Sequence, residues 1–420
     1  MAVFKFAHLA DIHLGANRHP TLEKIEMDAF NDAMNICMRE KVDFILICGD
    51  LFHVGLPDTS VLKYCVRKLR EVYDQDIPIY VIFGSHDYNP NTDSMVDILH
   101  TAKFIKNVMS AEALENGKIK LSYTIDEKTG AKITGINARK GGVEKIYYEN
   151  LDLASLENEE GFRIFCFHAG LSEFKPAHMA DMDTIPISLL PKGLSYYAGG
   201  HIHQRIEEHL PNYDHIVYPG PIFSGYPRDL EQTAKGEKRG FYIVNFDEKV
   251  RKLDFYELNS CEAVFYDFDV DGMNSSQAMH FLEEKVEELD VEGKIVLIKI
   301  SGELSGGRTS KVGTTQLKGS LLENGASYVE INRYGLTTKE FEAIRVSGED
   351  IPTLEKKLLR ENIGAITVKN DALKGDKGAE LASRLLRSLR VEMKPEENKT
   401  DYLTRTLEDA LNVLGLKEER

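Results

Sequence analysis

The stretch Val42-Asp43-Phe44-Ile45-Leu46-Ile47-Cys48-Gly49-Asp50-Leu51-Phe52-His53 constrains the fold of this chain more than any other. Phe44 to Cys48 is an unbroken apolar run, too short for a helix, and reads as a strand buried on both faces, as in a parallel sheet. The run stops at Gly49-Asp50. Glycine lets the chain turn where a side chain would obstruct it. An aspartate then stands at the carboxyl end of the strand, where open α/β sheets place their ligands. A buried carboxylate without a partner is costly, so Asp50 calls for a cation.

The surrounding chain predicts an α/β fold. Val3 to Leu9 reads as a strand running into Asp11-Ile12-His13, and Glu23 to Glu40 as an amphipathic helix with Met27, Phe30, Met34 and Cys37 on its apolar side. A second helix, capped by Thr59 or Ser60, carries Val61, Leu62, Cys65, Val66 and Leu69 toward the core. The strand Ile77 to Phe83 ends at Gly84-Ser85-His86-Asp87, and a short helix spans Ser94 to Phe104. This β-α-β-α-β-α order implies a mostly parallel sheet with helical crossovers. Later strands are expected at Lys118 to Ile125, Lys132 to Asn137, Arg163 to Phe167, Leu194 to Ala198, His215 to Tyr218 and Gly240 to Phe246.

A chain of 420 residues is too long for one core. The pattern sets a first domain at 1–258 and a small α+β unit at 259–336, with a glycine-containing flexible loop from Ser301 to Lys311. A linker at 337–378 and a pair of amphipathic helices within 379–420 follow. The helices carry leucine stripes (Leu381, Leu385, Leu386 and Leu389; Leu403, Leu407, Leu411 and Leu414) that a pair this short cannot bury by itself.

The net charge of −16 argues weakly against nucleic-acid binding through bulk charge, yet leaves room for a local basic surface. None of the five cysteines forms a C-x-x-C pair, and several sit in apolar runs, as small buried thiols in a reducing cytosol do. No apolar run reaches the length of a membrane-spanning helix, and no signal peptide is visible. The expectation is a cytoplasmic, nucleoid-associated protein without a membrane partner.

The strand ends carry the chemistry. They offer Asp11 and His13, Asp50 and His53, Ser85-His86-Asp87, His168, and His201 with His203. One histidine at a strand end is usually only a polar residue. Here six of the chain's 13 histidines fall at such ends, and five independent strand ends each offer Asp or His. In Asp11-x-His13 and His201-x-His203 the alternation of extended chain aims both side chains the same way. Carboxylate and imidazole ligands together suit manganese, iron or zinc and are poor for calcium. Paired cations clamp a phosphate and activate water for in-line attack.

D-x-H, G-D-x-x-H, a G-N-H-D/E-like turn, a lone His and G-H-x-H, in this order, resemble the signature of calcineurin-like metallophosphoesterases. Phe6-Ala7-His8-Leu9-Ala10-Asp11-Ile12-His13-Leu14-Gly15, Gly49 to His53, Tyr197 to His203 and Val217-Tyr218-Pro219-Gly220 look more closely like the nuclease subunit of double-strand-break repair complexes, the meiotic recombination eleven type of archaea and eukaryotes, called SbcD in bacteria. The resemblance is strong over about the first 250 residues and is architectural beyond them. It implies an α/β calcineurin-like metallophosphoesterase sandwich, a small α+β cap domain at 259–336 and a C-terminal helix pair that docks on a coiled-coil ATPase of the SMC-like SbcC kind. It implies two divalent cations, manganese first. One would be held by Asp11, His13, Asp50 and His203, the other by Asp50, His168, His201 and position 85. His86 would be the catalytic histidine and His53 its support. Asp87 would either orient His86 or cap its turn. The activity implied is hydrolysis of DNA phosphodiesters, as a 3′-5′ exonuclease and single-strand endonuclease acting on double-strand ends and single strands.

Two positions depart from that pattern. Ser85 stands where the family has asparagine, which shortens one ligand and predicts weaker binding or altered choice of the second metal, or lower activity, without abolishing the site. Pro221 stands where the family often has serine. A phosphatase or small-molecule phosphodiesterase on the same dimetal site, and a DNA-tethering scaffold with weak catalysis, are the alternative readings. The sequence determines DNA contacts poorly: Arg18, His19, Lys63, Arg67, Lys68, Arg70, Arg139 and Lys140 are candidates, each of which reads more readily as solvated surface charge than as a phosphate contact. The resemblance also implies a homodimer through the helices at Val61 to Tyr73 and Ser94 to Phe104.

Overall fold

Strand Phe44–Cys48 is buried along its whole length, and its two faces enter different cores. Ile45 and Ile47 pack with the helices, while Phe44, Leu46 and Cys48 face a second sheet. That two-sided burial is why the run is apolar without alternation. A computed structural model describes residues 3–88, 93–139, 143–175 and 182–338, and beyond these 355, 359–360, 373, 375–391, 393–394 and 399–416.

Two compact units divide the chain, Met1–Thr338 and Lys339–Arg420. The first unit is built on two six-stranded sheets. One runs in the order Val250–Glu257, Gly240–Phe246, Phe4–Leu9, Phe44–Cys48, Ile79–Ile82, Lys106–Asn107. The other runs Ile206–Leu210, Tyr213–Tyr218, Tyr196–Gly200, Arg163–His168, Lys132–Ile136, Thr124–Ile125. The central pairings of both sheets are parallel, and the outer strands Gly240–Phe246, Val250–Glu257, Ile206–Leu210 and Thr124–Ile125 run antiparallel to their neighbours. The sheets face each other across a shared core that includes Phe6, Phe44, Leu46, Tyr80, Ile164, Cys166, Tyr196, Val244 and Phe246. Helices Pro20–Arg39, Thr59–Tyr73 and Met95–Thr101 cover the outer face of the first sheet. The expected α/β sandwich is the observed one.

Strands Ala263–Asp269, Ile295–Leu304 and Tyr328–Thr338 form a small parallel sheet with helices Ser275–Glu287 and Thr314–Glu323. Alternation along Ile295–Leu304 divides its side chains. Val296, Ile298 and Ile300 join the core of this α+β piece, whereas Ile295 and Leu297 pack into the core that holds Leu230.

Several local expectations need correction. Asp58 is the N-cap of the second helix, with neither Thr59 nor Ser60 in that role. The strand read as Lys118 to Ile125 is broken into Ile119–Leu121 and Thr124–Ile125, which join different sheets. The start of the glycine-containing loop at Ser301 belongs to strand Ile295–Leu304, where Gly302 pairs with Leu336. In the second unit, helices Gly375–Leu389 and Lys399–Leu414 pack on each other. They leave Leu389, Leu403, Leu407 and Leu414 exposed. Much of the stretch read as a linker, 337–378, lies outside the described residues.

Candidate metal centre

Parallel pairing brings the chemistry to one edge. Leu9 pairs with Ile47, Cys48 with Ile82, and Gly200 with His168, so the chain leaves five strands at the same end of the two sheets. The segments that follow are stitched together by backbone bonds from Asp11 N to Gly49 O (3.1 Å), His13 N to Asp50 O (2.8 Å) and His53 N to Leu14 O (3.0 Å). Asp11, His13, Asp50 and His201 all have positive φ, at 52°, 51°, 54° and 89°. Non-glycine residues hold that conformation only where their surroundings over-determine it, and such strain gathers at functional sites.

The side chains converge. Asp11, Asp50 and His168 form one group with ligand atoms in mutual reach, and Asp11, His13 and His203 form another. Nε2 of His168 lies 3.1 Å from Oδ2 of Asp50 and 3.8 Å from Oδ1 of Asp11. Nε2 of His13 is 3.6 Å from Oδ2 of Asp50 and 3.2 Å from Nε2 of His203. Asp11 accepts from the His201 N–H at 3.0 Å, and Asp50 Oδ1 accepts from the His86 N–H at 2.8 Å. Close packing leaves no room behind these groups. A Cβ on Gly49 would stand 2.1 Å from Nδ1 of His168, and one on Gly84 would stand 2.0 Å from Oδ1 of Asp50.

The tautomers fit a cation. His168 Nδ1–H donates to Cys48 O at 2.8 Å, so a neutral ring presents its Nε2 lone pair to the two carboxylates. Nε2 of His168 is buried and has no hydrogen-bond partner. His203 Nδ1–H donates to Asp229 Oδ2 at 2.7 Å, which likewise turns its Nε2 inward. A carboxylate or carbonyl behind the distal nitrogen is how metal-ligating histidines are held.

Without a cation the groups perturb one another strongly. Burial pushes the Asp11 carboxyl up, against the pull of His168 and His203. Burial would raise Asp50 too, but His168 and His13 hold it well below the usual carboxylate range. Burial works against the His168 imidazolium, yet Asp50 and Asp11 bring it up to about 10. Burial and His168 press His201 down to about 4. Carboxylates and inward-facing imidazoles packed this closely are the donor set of a candidate cation site. Asp11, His13, Asp50, His168 and His203 fit two divalent ions, with Asp50 within reach of both histidine groups. His201 and Ser85 line the cleft beside His168.

His53 and His86 sit at the mouth. Their rings stack at 4.9 Å, and His86 Nδ1–H donates to the backbone carbonyl of His53 at 2.8 Å. Tyr226 O–H meets His53 Nδ1 at 3.0 Å. Asp87 does not orient His86. Its carboxylate accepts from the backbone N–H groups of Leu51, Phe52 and Gly84 and so caps the turn, the second of the two roles open to it.

Motif reasoning missed the outer supports. Asp229 also accepts from Ser224 Oγ at 2.5 Å, and Arg239 donates to the carbonyls of His203 (2.7 Å) and Asp229 (2.8 Å). Glu26, on the first helix, accepts from the Gly15 N–H and from Asn17 Nδ2, and so braces the loop after His13. Among the candidate DNA contacts, Lys68 is buried and bonded to Asn35 and Glu71, and Arg70 pairs with Asp74. Lys140 lies outside the described residues.

The family model for calcineurin-like phosphoesterases matches residues 4–205. Three archaeal proteins named DNA double-strand break repair protein Mre11 are similar to the chain. That of Archaeoglobus fulgidus is 26% identical over 90% of this chain and 87% of its own. That of Methanococcus maripaludis is 24% identical over 89% and 100%, and that of Sulfolobus acidocaldarius 23% identical over 64% and 67%.

Proposed function

The chain is a calcineurin-like phosphoesterase over residues 4–205, and from that premise we propose that it is a metal-dependent DNA nuclease acting in double-strand-break repair. The observation that carries the reading is the convergence of two groups, Asp11 with Asp50 and His168 and Asp11 with His13 and His203, with Oδ2 of Asp50 3.1 Å from Nε2 of His168 and 3.6 Å from Nε2 of His13. Asp11, His13, Asp50 and His203 would hold one divalent cation, and Asp50, His168, His201 and Ser85 the other. Manganese suits this mixed oxygen and nitrogen set. When bound, such a pair supplies Lewis-acid polarisation of the phosphodiester and a water of lowered pKa.

The remaining work falls to the chain's own groups. His86 has its Nδ1 proton engaged by the His53 carbonyl, so only Nε2 faces outward. From there an imidazolium donates to a phosphate oxygen as negative charge builds, or passes its proton to the leaving oxygen. His53 supports it twice, by that carbonyl and by its ring, which Tyr226 keeps in place. Asp11, Asp50 and His168 are nearly fully buried, where charge interactions are stronger than in water.

DNA ends and single strands are the proposed substrates. The exposed leucines of the C-terminal helices, Leu403 (56% exposed) and Leu407 (60%), suit docking on a coiled-coil ATPase. Exposed Tyr73 and Ile98, on or beside the two helices expected at a dimer contact, support a homodimer. Among the described residues no helix is long and apolar enough to cross a membrane, and we place the protein in the cytoplasm with the DNA.

One assay tests the reading. Purified full chain with manganese is offered double-stranded DNA ends, single strands and a chromogenic phosphodiester. Cleavage of DNA is expected, with a loss of about 10²- to 10⁴-fold in His86→Ala at unchanged metal content. Cleavage of the chromogen alone points to a small-molecule phosphodiesterase. No cleavage despite bound metal points to a tethering scaffold.

A further inference from the structure

A cleft of about 700 Å³ opens beside the metal centre, lined by His168, His201, Ser85, Arg139, Glu144 and Asp183. Arg139 follows strand Lys132–Ile136, and its place relative to Ser85 is fixed by the backbone. Ala138 N–H donates to Phe83 O at 2.8 Å, and Phe83 N–H donates to Asn137 Oδ1 at 2.9 Å. The guanidinium lies over the ring of Tyr147, 4.6 Å from its centroid, and 5.7 Å from that of Tyr88. Among the described residues Arg139 makes no ion pair, although Glu144 and Asp183 face the same cleft. Asp97, which borders a smaller cavity shared with Arg139, is engaged in capping Ser94.

An aromatic clamp holds a guanidinium by its face and leaves the N–H edges free. Those edges are what bind phosphate oxygens, often two at a time. Glu144 and Asp183 repel a polyanion from part of the cleft. Of its two cationic side chains, Lys145 pairs with Glu149 at 3.8 Å, which leaves Arg139 as the attachment point. We propose that Arg139 binds a backbone phosphate of the strand being cut, next to the scissile bond on the Ser85–His201 side. The proposal rests on the nuclease reading above and deepens it. It makes recognition depend on a second phosphate that a simple diester lacks.

The test compares Arg139→Ala and the milder Arg139→Gln with the parent protein, after circular dichroism establishes that each is folded. Steady-state cleavage of a short single-stranded oligonucleotide and of a chromogenic diester is measured with manganese. Oligonucleotide binding is followed by fluorescence anisotropy in EDTA across a salt series. The expected result is a rise of about tenfold or more in oligonucleotide KM and Kd, a salt slope shallower by about one, and less than twofold change on the chromogen. Unchanged oligonucleotide KM and Kd would overturn the proposal, as would equal losses on both substrates, which mark a purely structural role. A parent protein that cleaves the chromogen and no oligonucleotide removes the nuclease reading itself. A parent that cleaves both, with variants indistinguishable from it, removes only the role of Arg139.

Discussion

Nδ1 of His203 lies 2.7 Å from Oδ2 of Asp229, and the same carboxylate oxygen accepts the hydroxyl of Ser224. The carboxylate fixes the tautomer of His203 and points its Nε2 at His13 and Asp11. Asp229 stays ionised: burial opposes this, but the hydrogen bond from His203 and the nearby Arg239 hold its carboxyl below the usual range. Asp229→Ala is therefore expected to weaken the first metal position by about 10- to 100-fold. Calorimetric titration with manganese measures this. Binding equal to that of the parent would show that His203 needs no such support.

Gly84 shows how closely the turn before Ser85 is pressed against the centre. An added Cβ would stand 2.0 Å from Oδ1 and 2.3 Å from the backbone nitrogen of Asp50, neither of which can retreat. Gly84→Ala is expected to cost about 1–3 kcal/mol in urea unfolding, with loss of bound metal. Gly319, inside helix Thr314–Glu323, has nothing within 4 Å of the same added atom. There the same substitution is expected to stabilise by about 0.5–1 kcal/mol, through helix propensity alone.

Glu26 predicts a pH dependence. Burial pushes its carboxyl up to about 7, against the bonds from Gly15 and Asn17. The side chain belongs to a residue only 2% exposed, so solvent screens it little. A carboxyl whose folded pKa is raised above its unfolded value holds its proton better in the folded state. Its contribution is full below about 4.5 and is lost as pH rises through about 7. Relative to Glu26→Gln, the parent should lose about 1–3 kcal/mol of stability between those limits. Urea unfolding of both proteins from pH 4.5 to 8 checks the sign. A parent that gains on the variant as pH rises would show the carboxylate to be the better-bound form.

The legible parts of the molecule were those written in a local pattern. The run Phe44 to Cys48 announced its two-sided burial, and the Asp and His residues after glycine announced the centre, because parallel strands must deliver their ends to one edge. The supports were not legible, because they are set by tertiary distance. Glu26 lies on a helix behind Gly15 and Asp229 in the first turn of helix Pro227–Ala234; neither sits in a motif. The broken strand at 119–125 failed for another reason. Its apolar and polar residues alternate straight through, while tertiary pairing sends the two halves to different sheets.

Ser85 sets the last prediction. It follows Gly84, whose close approach to Asp50 fixes the turn, and it lines the cleft with His168 and His201. The resemblance puts an asparagine there, whose amide oxygen reaches farther than a serine hydroxyl. A partner one shell further out is worth about 10- to 100-fold in metal affinity, and a direct oxygen ligand is expected to be worth no less. Two-step manganese binding is therefore expected in the parent, with the position shared by Asp50, His168 and His201 filling last. Ser85→Asn should bring the second step toward the first and raise the cleavage rate at limiting manganese, with little effect at saturation. The site has room for the change, because Ser85 is partly exposed and lines the cleft. Isotherms that superimpose for parent and variant would mean that position 85 holds no metal in this protein and that its serine is without consequence for the second ion.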